Sequence, residues 1–268
     1  MSRVITALVL IPPLLAIILF APAWGLLLLA ELVGLLGVRE LFEMARKSGY
    51  RAFRAPAYLA TLLLVAAFYP PSPRPVWVVM GLTITVGLAA IWRGAPKRET
   101  TAEMAITIMG PLYAGLMLGT VVGLRLTPPE TVGRHWVLFL LIVIMLGDTG
   151  AYYVGKSLGK RRLSPALSPK KTVEGLIGGV TVSVAAAIVV ARLLLPHVGL
   201  LHAALLGTVL ALLGVVGDLF QSLLKRGAEV KDSGNLMPGH GGVLDRLDSL
   251  YFSAPALLVY VRLTTSLG

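Results

Sequence analysis

The chain has 268 residues, a formal net charge of +11 and no cysteine, with 56% hydrophobic and only 14% charged residues. Soluble domains are nearer 45–50% apolar with about 25% charged residues, so a soluble domain is excluded, and nucleic-acid-binding proteins are not this apolar. Without cysteine there are no disulfides, thiolate metal sites or Cys nucleophiles.

The apolar residues fall into nine runs, and a mean hydropathy of +0.84 accompanies them. The runs predict spans over about 4–20, 23–44, 57–69, 76–92, 105–124, 136–154, 173–195, 200–224 and 251–263. Most approach the ~20 residues that cross a hydrocarbon core, and the third is short. They are apolar on all sides and lack the alternation of a lipid-facing barrel, so helices are expected. Arg3, the run after it and Ala21-Pro22-Ala23 resemble a signal peptide. The run is long enough to span, and equally apolar segments follow, so it is read as a retained first span. The expected fold is an all-α, polytopic membrane helical bundle of about nine transmembrane helices.

The basic residues orient it. With the N-terminus inside, 18 of the 24 Lys and Arg residues fall in inside segments, 4 fall outside when Arg262 at the outer end of the last run is counted there, and Arg39 and Arg192 lie within spans. That asymmetry supports an N-in, C-out topology. It also places the stretch from Ser222 to Asp248 on the cytoplasmic side. Trp24, Trp77, Trp92 and Trp136 fall at predicted span ends, where an amphipathic ring is at home. The basic balance also suits anionic lipid headgroups or an anionic substrate.

Polarity rises along the chain. The first five spans carry few polar groups besides Glu31, Arg39, Glu40 and Glu43, and Arg39 with Glu43 reads as a structural i, i+4 pair. Residues 1–135 are expected to be a transmembrane scaffold of about five spans. Residues 136–268 are expected to be a catalytic region of about four. No internal repeat is evident, which argues against a transporter built from repeated halves.

Four constellations carry chemistry. Asp218, Ser222 and Lys225 stand at i, i+4 and i+7 and share one helical face. They read as a carboxylate neutralised by its ammonium neighbour or as one awaiting a cation, since intramembrane acids are functional by default. Asp245 and Asp248, at i, i+3, face one way at the start of the last span. A helix dipole accounts for one acid there better than for a pair. Hard oxygen ligands without Cys suit Mg²⁺, held by one or two carboxylates plus substrate phosphates. Pro238-Gly-His-Gly-Gly242 reads as a tight returning loop or as a backbone that approaches a ligand and offers amides, with His240 placed to touch a phosphate. Asp148 is a further acid within a span. Lys170 and Lys171 precede a helix starting at Thr172, with Glu174 in its first turn. That piece reads as a capped helix with lipid-binding lysines or as a polyphosphate site.

These residues resemble the signature of the phosphatidate cytidylyltransferase (CDP-diacylglycerol synthase) family. Ser222, Lys225, Arg226, Lys231, Asp232, Pro238, His240, Gly241, Gly242, Asp245, Arg246 and Asp248 fill it without a gap. Asp148-Thr-Gly-Ala-Tyr152 and Ser168-Pro-Lys-Lys-Thr172 are similar to the family too, as is the nine-span outline. The resemblance implies that CTP and phosphatidate give CDP-diacylglycerol and pyrophosphate at the cytoplasmic side of the cell inner membrane. It also implies Mg²⁺, with a second cation such as K⁺ as an option in the same cluster, and a homodimer among membrane lipid.

On this reading Asp218, Asp245 and Asp248 hold the metal. Lys225 orients Asp218 or offsets its charge. Lys170, Lys171, Arg226, Lys231 and Arg246 bind phosphates. Asp148, with Thr172, is expected to help bind CTP or a cation, and Ser222, Asp232, His240, Gly241 and Gly242 complete the substrate-binding set. Two rivals fit less well. A CDP-alcohol phosphatidyltransferase calls for an Asp-Gly run and a final Asp-x-x-x-Asp that this chain lacks. An ion-coupled transporter would use Asp148 and Asp218 as coupling sites.

Overall fold

The computed structural model describes residues 12–70, 74–94, 97–234 and 241–266. Residues 12–20 are helical, and the rest of the predicted first span lies outside the described residues. Helices follow at α1 Ala23–Lys47, α2 Arg54–Ala66, α3 Pro75–Trp92, α4 Thr100–Gly110 and α5 Met117–Arg125. After them come α6 Glu130–Leu158, the strands β1 Arg162–Ser164 and β2 Ser168–Thr172, and helices α7 Val173–Leu194, α8 Leu200–Gly227 and α9 Leu244–Ser266. Every predicted span from the second onward coincides with a helix. Among the described residues, five helical segments are long and apolar enough to cross a membrane: Pro75–Trp92, Thr100–Arg125, Glu130–Leu158, Val173–Leu194 and Leu200–Gly227. The protein is therefore a multi-pass helical membrane protein.

Among the described residues the only sheet is the β1–β2 hairpin, antiparallel with Arg162 opposite Thr172 and Ser164 opposite Ser168. It occupies what the sequence presents as an inside loop, a small departure from an all-α expectation. Glu174 holds its base by accepting the backbone N–H groups of Lys160 at 2.9 Å and Arg161 at 3.1 Å.

Local chemistry sets the helix ends. Thr172 caps α7, its Oγ1 accepting the Gly175 N–H at 3.1 Å, the bond a helix start needs for its orphan donors. Pro75 occupies the first turn of α3, where its missing N–H costs nothing. Between α4 and α5 the helix widens into a π-helical turn, Pro111–Leu116. Pro111 has no N–H to donate and crowds the preceding turn, so the ladder loosens there.

The chain divides into two compact units. The first comprises Met1–Gly123 with Lys225–Arg246, and the second Leu124–Leu224 with Leu247–Gly268. In the first, Phe53, Ala60, Leu64, Val78, Leu82 and Val86 form a buried cluster, with Met104, Ile108, Leu112 and Leu116 packed against it. Glu103 is buried beside it, pairing with Arg93 at 2.8 Å and accepting the Arg51 N–H at 2.9 Å. The Arg93 guanidinium lies 3.8 Å over the Phe53 ring. Glu43 pairs with Arg46 at 2.8 Å and Arg54 at 2.9 Å rather than with Arg39, because the chain returning after α1 brings Arg54 to it.

In the second unit α6 and α7 meet through small residues spaced by four: Gly147, Ala151 and Gly155 on one side, Gly175, Gly179 and Ser183 on the other. A Cβ at Gly179 would stand 2.9 Å from the Ala151 Cβ and 3.1 Å from the Gly147 carbonyl. The backbones approach this closely because lipid gives helices no hydrophobic reason to associate, and van der Waals contact carries the pairing. Helix α8 packs on α9 in the same way. A side chain at Gly217 would overlap the Asp248 carbonyl, and the Ser253 hydroxyl donates to the Leu210 carbonyl at 3.0 Å.

Candidate active site

The acids singled out in the sequence fall into two constellations, one in each unit.

In the second unit, Asp148 comes from α6, Lys171 from β2, Asp218 from α8, and Asp248 with Ser249 from α9. The Lys171 ammonium lies 2.6 Å from Asp218 Oδ2. The Ser222 hydroxyl donates to Asp218 Oδ1 at 3.4 Å from one turn further along α8. Asp148 feels the charges of Lys171 and Asp218 and is hydrogen-bonded by the Ser249 side chain. Asp248 feels those of Asp218, Asp148 and Lys171, and the Ser249 N–H donates to its Oδ1 at 2.8 Å. Lys171 thus pairs with Asp218, and its charge reaches Asp148 and Asp248 as well. Thr172 is buried and its hydroxyl oxygen is engaged in capping α7, while Lys170 is exposed.

Asp148 also lines a small open groove between α6, α7 and α8. The rest of its lining is small or apolar, including Ile144, Leu176, Val180, Leu210 and Val215. The acid cluster therefore adjoins a groove of largely apolar lining.

In the first unit, the sequence-predicted partner of Asp218 is found elsewhere. Lys225 lies 2.6 Å from Asp245 Oδ1, with side-chain exposures of 13% and 8%. Asp245 Oδ2 accepts the Ser233 N–H at 2.8 Å, the Ser233 hydroxyl at 3.0 Å and the Gly242 N–H at 3.0 Å. Burial pushes the Asp245 carboxyl up. The Lys225 hydrogen bond, the Gly242 and Ser233 amides and the Lys225 charge outweigh it and hold the group below its ordinary value of 3.8. Gly241, at φ +77°, wraps the backbone over this carboxylate, and a Cβ there would lie 2.6 Å from Oδ2. Only glycine takes that conformation and that proximity without strain. The Gly242 amide, expected to face a ligand, is turned onto Asp245.

The segment entering this constellation is shaped by the end of α8. The Val230 N–H reaches back to the Lys225 carbonyl at 2.9 Å and the Glu229 N–H to Arg226 at 3.1 Å. Glu229 sits at φ 55°, where a Schellman closure normally places glycine. Arg226, Lys231, Asp232 and Arg246 are exposed, and Arg226 donates to the Val230 carbonyl at 3.4 Å. His240, with Pro238 and Gly239, lies outside the described residues.

Two residues escaped the sequence reading. Glu40, on α1, is 8% exposed. It accepts the Val243 N–H at 2.8 Å, the Leu244 N–H at 3.0 Å and the Ser233 hydroxyl at 2.8 Å. Its signal was visible, an acid in an otherwise apolar run, but its partners are backbone groups that carry no mark. Ser233 was not singled out.

The chemistry of the donor set fits a hard divalent cation. Asp148, Asp218 and Asp248 with Lys171 leave an excess of negative charge, and all offer oxygen. Asp245 Oδ1 accepts Lys225 and retains a lone pair. Among the described residues no group of three or more His, Asp or Glu side chains is already gathered at metal-holding distance.

Comparison with known proteins gives the family. The model of the cytidylyltransferase family matches residues 1–264. A phosphatidate cytidylyltransferase of Bacillus subtilis (strain 168) is 36% identical over 233 residues, 83% of this chain and 84% of that protein. Those of Synechocystis sp. (strain ATCC 27184 / PCC 6803 / Kazusa), 35% over 253 residues and 85% of each chain, and of Staphylococcus aureus (strain COL), 33% over 224 residues, 81% and 83%, are similar to it as well. A multi-pass helical protein with the acid clusters in its C-terminal helices, matched along nearly its whole length, this chain belongs to the cytidylyltransferase family.

Proposed function

We propose that this protein transfers the cytidylyl group of CTP to phosphatidate, giving CDP-diacylglycerol and pyrophosphate for phospholipid synthesis. Family membership and the names of the three relatives support the reaction. The observation that carries it to this chain's residues is the ammonium of Lys171 set among Asp148, Asp218 and Asp248, beside an apolar groove in a membrane protein.

A phosphatidate phosphate oxygen attacks the α-phosphorus of CTP. A new P–O bond forms, the α–β bridge breaks, and pyrophosphate leaves with its charge. Both reactants are polyanions, so alignment and charge neutralisation are the main tasks. Lys171 and Lys170 receive phosphate oxygens, and Arg226, Lys231 and Arg246 extend the basic face. Ser222 keeps Asp218 oriented when Lys171 turns to substrate. Asp218, Asp245 and Asp248 are the proposed ligands of Mg²⁺, with a second cation such as K⁺ as an option, on the signature spacing and the donor chemistry above. The bound ion supplies charge compensation for the reacting phosphates.

The finer topology belongs to the same proposal. The asymmetry of Lys and Arg supports nine spans with the N-terminus inside, a cytoplasmic site and residues 136–268 as the catalytic region. A homodimer rests on the family resemblance.

The test is direct. Purified protein in detergent, given labelled CTP, phosphatidate and Mg²⁺, is expected to form lipid-linked cytidine. No such product sinks the reaction, and product undiminished by chelation sinks the metal.

A further inference from the structure

The buried acid of α1 has no part in the chemistry above, and its surroundings are built for it. We propose that Glu40 is a positioning residue that seats the start of α9, and with it Asp245, for the cytidylyl transfer. The inference rests on the proposed reaction.

Helix α9 opens with Gly241-Gly242-Val243-Leu244, which offers no Ser, Thr, Asp or Asn to cap it. Its first donors would be left unpaired in a buried place. Glu40 takes that role from 203 residues away, one oxygen accepting Val243 at 2.8 Å and the other Leu244 at 3.0 Å. A carboxylate accepts from both at once, one on each oxygen, with lone pairs to spare.

The space around it is shaped to match. A Cβ at Gly234 would stand 2.8 Å from Glu40 Oε1, and one at Gly242 would overlap Oε2. Ser233 then links the two acids. Its hydroxyl lies 2.8 Å from Glu40 Oε2 and 3.0 Å from Asp245 Oδ2. With a single proton it donates to one of them at a time. Asp245 is therefore fixed from two directions, through the helix start that Glu40 holds and through the serine it shares. A plain structural cap would fix the helix but would not need the shared hydroxyl.

The experiment compares Glu40→Gln, Glu40→Ala and Ser233→Ala with wild type, reading kcat and the KM for CTP together with hydrogen exchange of the 241–246 segment. Glu40→Gln keeps the shape and one acceptor oxygen, so it is expected to fold. It should exchange faster in that segment and lose kcat by about 10–100-fold, the cost of a misplacement near 1 Å, with KM within about twofold. Glu40→Ala should be worse, making Gln a partial rescue. Ser233→Ala should lower kcat less, again at constant KM, and it decides the matter if the Glu40 variants do not fold. A Glu40→Gln enzyme with wild-type kcat, a change confined to KM, or a Ser233→Ala enzyme with wild-type kcat overturns the proposal. If wild type itself makes no product, the proposed reaction has failed, and exchange at 241–246 still judges the clamp, since unchanged exchange in Glu40→Gln removes it.

Discussion

Replacing Lys225 by Met keeps most of the side chain's volume and removes its charge. The partner left behind is Asp245, whose side chain is 8% exposed and whose Oδ1 lies 2.6 Å from the lost ammonium. Removing one member of a buried pair costs about 3–5 kcal/mol when nothing else holds the survivor. Asp245 keeps the Ser233 and Gly242 amides and a share of the Ser233 hydroxyl, so about 2–3 kcal/mol is expected, near the worth of one hydrogen bond to a charged group. For a chain of this size that is about 4–12 °C in Tm.

The pH dependence separates this from a loss of packing. In wild type the Asp245 carboxyl is held below its ordinary 3.8. Its contribution is complete above that value and is lost as pH falls through the lower folded one. Without Lys225 burial is opposed only by the amide and hydroxyl donors, so the folded carboxyl rises and the stabilisation is lost at higher pH. The deficit of Lys225→Met should be full at pH 7, should narrow as pH falls through the variant's raised carboxyl value, and should close as pH passes the lower wild-type one and Asp245 protonates in both proteins. Thermal unfolding in detergent from pH 7 to pH 3, with EDTA to keep cations off the acids, measures it. A deficit under 1 kcal/mol at pH 7, or one that does not change with pH, refutes the reasoning.

Three further outcomes follow from the geometry. Lys171→Met removes the ammonium from Asp218 and from incoming phosphate, and the KM for CTP or phosphatidate should rise about 10–100-fold, the equivalent of one charged hydrogen bond; unchanged steady-state constants would exclude it from the site. Gly179→Leu forces a side chain against Ala151 and the Gly147 carbonyl, so it should cost about 1–3 kcal/mol or more and lower turnover by moving Asp148 relative to Lys171. Gly81→Ala, with nothing within 4 Å of the added Cβ, is the control, and equal melting of the two variants contradicts the packing argument. Glu229→Gly relieves a left-handed residue that costs about 1–2 kcal/mol, less the entropy glycine adds to the unfolded chain; a net gain of up to about 1 kcal/mol should appear as a higher melting temperature, and a lower one rejects it.

The helices were readable because a span leaves a long apolar run, and runs such as 136–154 and 200–224 sit inside α6 and α8. Helix α9 begins well before its apolar run, since its first two turns carry the acids. The hairpin at 162–172 left no alternating pattern; it is short, and its partner strand and Glu174 define it. The site was half readable. Residue types and spacing marked the acids, but spacing misassigned Lys225. Seven residues of helix rise about 10.5 Å, so sharing a face with Asp218 did not bring the ammonium to it. Lys171 reached Asp218 from a strand instead. Glu40 and Ser233 were hidden because their partners are backbone groups and a distant carboxylate, contacts no local pattern records.

The long separation between Glu40 and its donors bears on how the chain is made. Glu40 leaves the ribosome 203 residues before Val243, an interval of roughly 10–40 s at about 5–20 residues per second. The acceptor is in place before its donors exist. Every nascent chain passes through a stage in which this acid stands without the backbone groups that later enclose it. Seating α9 is then a directional step of biogenesis, completed when α9 emerges and meets a carboxylate made 203 residues earlier.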